Sequence, residues 1–260
     1  MTSKIMGVVN VTPDSFSGPG LTAQRAALSG ADIIDIGGES TRPGAVPVPP
    51  AEEQARILPA IAALAPTGIT ISVDTRNART MAAALDAGAS MINDISGLTH
   101  DPAAAPLIAA RKCKVVLMHM RGTPQTMVAL ARYTDVVGEV VAELGLRIEA
   151  ALAAGIARDR IIVDPGIGFA KTPEHSVALL RALPRFKALG FPVLVGLSRK
   201  SFIGHYGGEP DPLKRMPGSL AAALFAMSRG ADILRVHDVA ETRQAVRVWQ
   251  ALSRCDTEAG

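Results

Sequence analysis

Cysteine is scarce: Cys113 and Cys255 are the only two in 260 residues, and they lie far apart. That excludes a disulfide-stapled scaffold and a thiolate metal cluster, and it points to a reducing, cytoplasmic setting. Aromatic residues make up only 3% of the chain, while small side chains abound. This favours closely packed helices over a β-sandwich. No block of Lys and Arg occurs: 27 basic residues face 24 acidic ones, scattered except for short pairs such as Arg111-Lys112 and Arg199-Lys200. A nucleic-acid partner is therefore not expected, although the net charge of +3 suits an anionic small substrate. Long apolar runs are missing as well. The stretch Ile5–Val11 is interrupted by Asn10 and followed by Pro13, too short for a membrane span and without a cleavage region. The five histidines, at 100, 119, 175, 205 and 237, have no zinc-like spacing, and no dense acidic set could hold a metal alone.

What is present is alternation. Apolar, β-rich runs fall at Lys4–Val9, Asp32–Ile36, Thr70–Val73, Met91–Ile92, Lys114–Met118, Arg160–Val163, Pro192–Val195 and Asp232–Val236. Between and after them, helical stretches are expected near 21–29, 51–64, 77–87, 101–111, 133–154, 174–189, 218–229 and 239–253. Eight βα units in one chain of this length predict a single (β/α)8 TIM barrel, residues 1–260 with no linker, rather than an open doubly wound sheet. The runs are continuous rather than alternating, as parallel strands covered by helices should be. "SGAD" at 29–32, "AGAS" at 87–90 and "RGAD" at 229–232 read as helix stops leading into strands. The end of the chain, about 254–260, is expected to be disordered.

Polar residues cluster where strands end: Asn10, Asp35, Glu39, Asp74, Asn93, His119, Asp164, Ser198, Arg199, Lys200, Arg235 and His237. In a barrel those ends share one face, so residues distant in sequence can line one pocket. Burying so many polar groups without purpose would be costly.

The segments "MGVVNVTPDSFS", "GADIIDIGGESTRPGA", "SVDTRNA", "INDISG", "VLMHMRGTP", "DPGIGFAKTPEH", "PVLVGLSRKSFIG" and "ILRVHDV" carry a resemblance. In this order they resemble the dihydropteroate synthases over roughly residues 5–250. The resemblance implies a TIM barrel that joins 6-hydroxymethyl-7,8-dihydropterin diphosphate to 4-aminobenzoate, giving 7,8-dihydropteroate and diphosphate in folate biosynthesis. It also implies a homodimer joined through late outer helices.

For the flat pterin, Asp164 is the candidate acceptor for the guanidine-like edge, since a carboxylate takes two parallel bonds. Asp74 and Asn93, which follow the third and fourth strands, are candidates for the rest of the heterocycle edge, where an amide can both donate and accept. Lys200 is placed to meet the ring carbonyl and to keep nearby carboxylates ionised. Met118 and Phe169 are candidate walls, and Arg235 can stack on the ring or reach the diphosphate. Asn10, Arg42, Arg235 and His237 are candidates to surround the leaving diphosphate, with Asn10 as the protein contact to Mg²⁺. His119 is expected as support at the rim. Thr41, Pro43, Gly196 and Ser198 join the substrate pocket on the same resemblance. Asp14 is the candidate stabiliser of a developing positive carbon, and Phe16 shares its loop. Asp14, Arg42, Lys200, Arg235 and His237 make up the expected catalytic set.

The sequence departs from the family pattern in places. Gly18-Pro19-Gly20 replaces Asp-Gly-Gly. Leu21–Ser29 leaves only about 13 Å of helix at 1.5 Å per residue. Ala170 replaces a glycine, and Ser176 an asparagine. Two alternatives follow: a pterin-binding homologue with impaired catalysis, and a pterin-dependent methyltransferase. The second would have no use for "TPDSFS", "STRPGA" and the segment around Lys200.

Overall fold

Side chains on a strand alternate between faces, so in a closed barrel every second residue points inward. The computed structural model describes residues 3–11 and 30–254. The expected first outer helix, the loop at 12–20 and the end of the chain beyond 254 lie outside the described residues. Eight strands are present: β1 (Lys4–Asn10), β2 (Ile33–Gly37), β3 (Thr70–Asp74), β4 (Met91–Asp94), β5 (Lys114–Met118), β6 (Ile161–Asp164), β7 (Leu194–Gly196) and β8 (Ile233–Val236). They are all parallel, in the order β6-β5-β4-β3-β2-β1-β8-β7. A parallel bridge between Val163 and Val193 joins the two ends into a barrel.

The inward residues change chemistry along the axis. Met6, Ile33, Met91, Val116, Ile162, Leu194 and Ile233 pack together as an apolar floor. Two residues further along the same seven strands stand Val8, Asp35, Asn93, Met118, Asp164, Gly196 and Arg235. The outward residues, among them Ile5, Ile36, Val73, Leu117, Val163 and Leu234, merge with the helices into one large core. Each such buried aliphatic side chain contributes about 1.5–3 kcal/mol.

The covering helices are α1 (Pro50–Leu64), α2 (Ala78–Asp86), α3 (Ala104–Arg111), α4 (Val136–Ala153), α5 (Pro173–Arg181), α6 (Leu183–Lys187), α7 (Ser201–Gly207), α8 (Met216–Ser228) and α9 (Val239–Arg254). The helix expected at 174–189 is two. Pro184 occupies the first turn of α6, where a residue without an N–H is tolerated but a continuous helix is not. The stretch 133–154 becomes helical only at Val136, because the Asp135 side chain caps it, accepting from Gly138 N–H at 3.1 Å. The short α7 was not expected.

The "GAD" motifs do more than stop helices. Asp32 accepts the Ile5 N–H at 2.7 Å and Arg243 Nη2 at 2.6 Å. Asp232 likewise accepts the Val193 N–H at 2.6 Å and Lys187 Nζ at 2.7 Å. Each carboxylate therefore ties its strand to the next and draws in a basic side chain. Val193 is also the residue through which the barrel closes. Asp232→Ala is expected to cost about 1.5–3 kcal/mol, the value of a hydrogen bond to a charged group. Thermal melting should fall by roughly 3–10 °C, and an unchanged melting curve would remove Asp232 from the closure.

Candidate active site

Asp35 lies inside the barrel with no solvent exposure. Its Oδ2 accepts from Asn93 Nδ2 at 3.0 Å and from Arg235 Nε at 2.6 Å. Arg235 also donates through Nη2 to Asp74 Oδ2 at 2.7 Å. One guanidinium on β8 thus spans carboxylates on β2 and β3, matching the fixed fork geometry of arginine. Burial pushes Asp74 up to about 7; Arg235 pulls it down and Asp35 pushes it up again. Burial works against the Arg235 charge, but Asp35 and Asp74 outweigh it and raise its pKa.

A second group faces this one. Asp164 ends β6 and is buried. Its Oδ1 accepts the Gly166 N–H at 2.7 Å. Burial raises its pKa, opposed by that N–H and then by the charges of Lys200, Lys171 and Arg235. Lys200 Nζ donates to the Ile167 carbonyl at 2.6 Å and stands 4.2 Å over the Phe169 ring. Burial lowers Lys200 to about 8, partly countered by Asp164. Met118 pairs with Asp164 across β5 and β6, and it packs with Ile95, Met120, Met127 and Ala170, with Phe169 alongside. Ala170 has φ +48°, a left-handed conformation in which glycine is the unstrained residue.

At the rim, His237 is held down to about 4 by burial and then by the charges of Arg199 and Arg235. Among the described residues its buried Nδ1 has no hydrogen-bond partner. Its backbone N–H donates to Ser198 Oγ at 3.3 Å. That hydroxyl is occupied with a backbone amide, as suits a positioning residue rather than an activated nucleophile. Asn10 is exposed at the tip of β1. A side chain on Gly37 would lie 3.5 Å from Asp74 Cβ and 3.9 Å from Asn10 Oδ1, so both residues flank Gly37. Thr41, Arg42 and Pro43 follow β2 in a loop at the same end, with Arg42 and Pro43 exposed. The Gly44 N–H fastens this loop to the Pro124 carbonyl at 2.9 Å. Glu39 fastens its base, accepting from Val48 N–H at 3.1 Å and Arg76 Nη2 at 3.0 Å.

The barrel therefore gathers Asn10, Asp74, Asn93, Met118, Asp164, Phe169, Gly196, Ser198, Lys200, Arg235 and His237 at one end. Asp14 and Phe16 lie outside the described residues. Two placements differ from expectation, those of His119 and Asp35. His119 is not at the rim. It is fully buried and points to the helix layer, because it alternates with the inward Met118. Arg235 is bound through Nε and Nη2 to Asp35 and Asp74. Asp35 is not at a strand end but in the middle of β2. Lys171, buried behind Asp164, received no role from sequence reasoning.

The pterin binding enzyme family matches residues 6–237. The dihydropteroate synthase of Neisseria meningitidis serogroup B is 48% identical over 263 residues, covering 96% of this chain and 92% of that protein. The Xanthomonas albilineans dihydropteroate synthase, solved with 4-aminobenzoic acid, superposes with a TM-score of 0.90 at 48% identity, covering 96% of this chain and 93% of that one. The same organism's enzyme in complex with 7,8-dihydropteroate superposes with a TM-score of 0.86 at 45% identity, over 96% and 94% of the two chains. The chain belongs to the dihydropteroate synthase family. Membership accounts for a deep cup in which three buried carboxylates meet two half-buried cations, Arg235 and Lys200, an arrangement that a purely structural barrel core would avoid. It also removes the methyltransferase alternative.

Proposed function

We propose the following division of labour for the dihydropteroate synthase reaction, in which the pterin methylene carbon loses diphosphate and is captured by the amine of 4-aminobenzoate. Asp164 accepts the donor edge of the pterin, and Asn93 and Asp74 bond the adjoining edge. Lys200 leaves the Ile167 carbonyl to meet the ring carbonyl. Met118 and Phe169 wall the ring. The observation that carries this reading is that Lys200, 4.2 Å over the Phe169 ring, lies close enough to Asp164 for the carboxylate to support its charge.

Asn10, Arg42 and His237 receive the departing diphosphate. Arg235 reinforces them from below while it stays bound to Asp35 and Asp74. His237 is neutral before substrate arrives, and an adjacent anion raises its pKa. Its unpartnered Nδ1 then has an acceptor. Thr41, Pro43, Gly196 and Ser198 border the aminobenzoate. Asp14, outside the described residues, is assigned the stabilisation of the developing positive carbon on the family resemblance alone. Departure and capture need no covalent bond to the enzyme, so positioning and leaving-group stabilisation supply the acceleration.

Among the described residues no group of three or more His, Cys, Asp or Glu could hold a metal. A lone Asn10 amide fits an Mg²⁺ that arrives with the diphosphate, coordinated mostly by phosphate oxygens and water. When bound, that ion would neutralise charge on the leaving group. The reading is tested by incubating purified protein with pterin diphosphate, aminobenzoate and Mg²⁺, with and without chelator. Equal amounts of dihydropteroate and diphosphate support it. Release of diphosphate without dihydropteroate sinks it.

A homodimer is part of the same proposal. An apolar groove of about 590 Å³ between α5, α7 and α8 includes Val177, Phe202, Ile203 and Ala222 in its lining. Phe225 on α8 and Trp249 on α9 are also partly exposed. Burial of these surfaces in a second copy is expected to give a two-chain mass in sedimentation equilibrium; a one-chain mass at micromolar concentration refutes it. Among the described residues no helix is long and apolar enough to cross a membrane. With Cys113 buried and free, a cytoplasmic setting completes the reading.

A further inference from the structure

The loop that carries Asp164 is fastened, at both ends, to the residue that directly follows the neighbouring strand β5. The His119 N–H donates to the Asp164 carbonyl at 2.9 Å. Lys171 Nζ lies 3.0 Å from His119 Nδ1, 3.4 Å from the His119 carbonyl and 2.8 Å from the Phe169 carbonyl. Gly166 presses on the same His119 carbonyl: with φ +68°, a Cβ there would come within 1.9 Å of the oxygen. Residues 164–171 therefore close on His119 as a clamped ring.

The hydrogen bonds have one direction. A lysine N–H donates, so His119 Nδ1 accepts and the ring proton sits on Nε2. That proton points to Glu143 Oε2, 2.9 Å away on α4. Arg121 Nε holds the other Glu143 oxygen at 3.0 Å, and Arg121 itself stacks 4.1 Å above the Tyr133 ring. The chain runs from a half-exposed ion pair on the helix layer, through the strand, to the back of the Asp164 loop.

We propose that Lys171, locked by His119, is the positioning residue of the pterin pocket: it presents the Asp164 carboxylate, the Ile167 carbonyl that seats Lys200, and the Phe169 ring as one unit, and it keeps a positive charge behind Asp164 that substrate does not displace. This rests on Asp164 being the pterin acceptor. Lys200 cannot do the same task, because its ammonium is the group that meets substrate.

The electrostatics agree. Asp164 is faced by the Gly166 N–H, Lys200, Lys171 and Arg235. Lys171 is faced by Asp164, Lys200, Arg147 and Glu143, and by His119. Burial lowers Lys171 to about 7, and Asp164 is the first charge opposing that fall. His119 is driven down to about 3 by burial and then by Lys171 and Arg147, so it stays neutral. Removing the Lys171 charge leaves Asp164 more easily protonated. The ionised acceptor then exists only above a higher pH, and the acid limb of activity moves upward.

The test is Lys171→Met, which keeps length but loses charge and donors. Calorimetry with 6-hydroxymethylpterin is expected to show about tenfold weaker binding at neutral pH. The acid limb of kcat/KM for pterin diphosphate should rise by about one pH unit, with KM for aminobenzoate unchanged. Wild-type binding and an unmoved acid limb overturn the proposal. Asp164→Asn is measured alongside: if it binds the pterin like the wild type, the assignment of Asp164 fails instead. Should Lys171→Met not fold, imidazole ¹⁵N spectra of the wild type decide. A neutral His119 protonated on Nε2 throughout the neutral range supports the clamp, and a ring titrating near the ordinary value of about 6.5 overturns it.

Discussion

Asp164→Asn is expected to lower kcat/KM for the pterin diphosphate by about 10²- to 10⁴-fold while the protein stays folded. Two hydrogen bonds to an ionised acceptor are worth about 1.5–3 kcal/mol each, and every 1.36 kcal/mol is tenfold in rate. Asparagine keeps the shape but turns one acceptor into a donor, which then faces the donor edge of the pterin. The loss should therefore exceed that of a simple missing bond. Stability should move the other way. The folded-state pKa of Asp164 is raised, with burial as the main cause. Such a carboxyl loses its stabilising contribution as pH rises from its unfolded value through its folded one. At neutral pH its charge is a cost that asparagine does not carry. Steady-state kinetics and thermal melting on one preparation check both halves. Wild-type turnover, or a melting point well below wild type, contradicts the assignment.

Opposite signs for activity and stability are the mark of a residue kept for chemistry, and the sequence showed such residues unevenly. The barrel was legible because parallel strands buried on both faces must be apolar throughout, and eight such runs are hard to confuse with another architecture. "DPGIGF" and "SRK" were legible because charged residues beside breakers follow apolar runs directly. Asp35 was read as a strand end, whereas it stands in the middle of β2. In "ADIIDIGG" nothing local says that the second Asp stands two residues above a floor residue, Ile33; only the register with β1 and β3 does. His119 was misplaced for the same reason, since alternation puts it behind the sheet and Met118 in front. Lys171 could not be singled out at all. A lysine after a glycine-rich loop looks solvated, and its partner His119 is 52 positions away. Pro184 was visible, but the apolar periodicity on either side of it masked the break between α5 and α6. Substrate-facing groups are thus announced by local contrast. The groups that hold them in place are announced only by contacts.

Arg235 belongs to both classes, and its removal should have the largest effect on the fold. Arg235→Met leaves Asp35 and Asp74 facing each other inside the barrel without a cation. Breaking a buried ion pair from one side costs about 3–5 kcal/mol, and here one guanidinium serves two carboxylates. Melting is expected to fall by roughly 6–20 °C at neutral pH. The deficit should depend on pH. Asp74 stands at about 7 even with Arg235 present, raised chiefly by burial; without the guanidinium it rises further. A raised carboxyl penalises the fold where it is ionised, at high pH, and stops doing so as it takes up its proton. The gap between variant and wild type is therefore widest above about pH 8 and narrows below about pH 6, the reverse of ordinary acid denaturation. Adding Asp35→Asn should restore part of the loss, because the two sites share one partner and their effects cannot add. A pH-independent deficit, or strict additivity, would mean that Arg235 acts by filling space. In that case the carboxylates of β2 and β3 would not be held apart by its charge. If the predicted dependence appears, the charge of Arg235 is what lets β2 and β3 each carry a buried carboxylate at one place in the barrel.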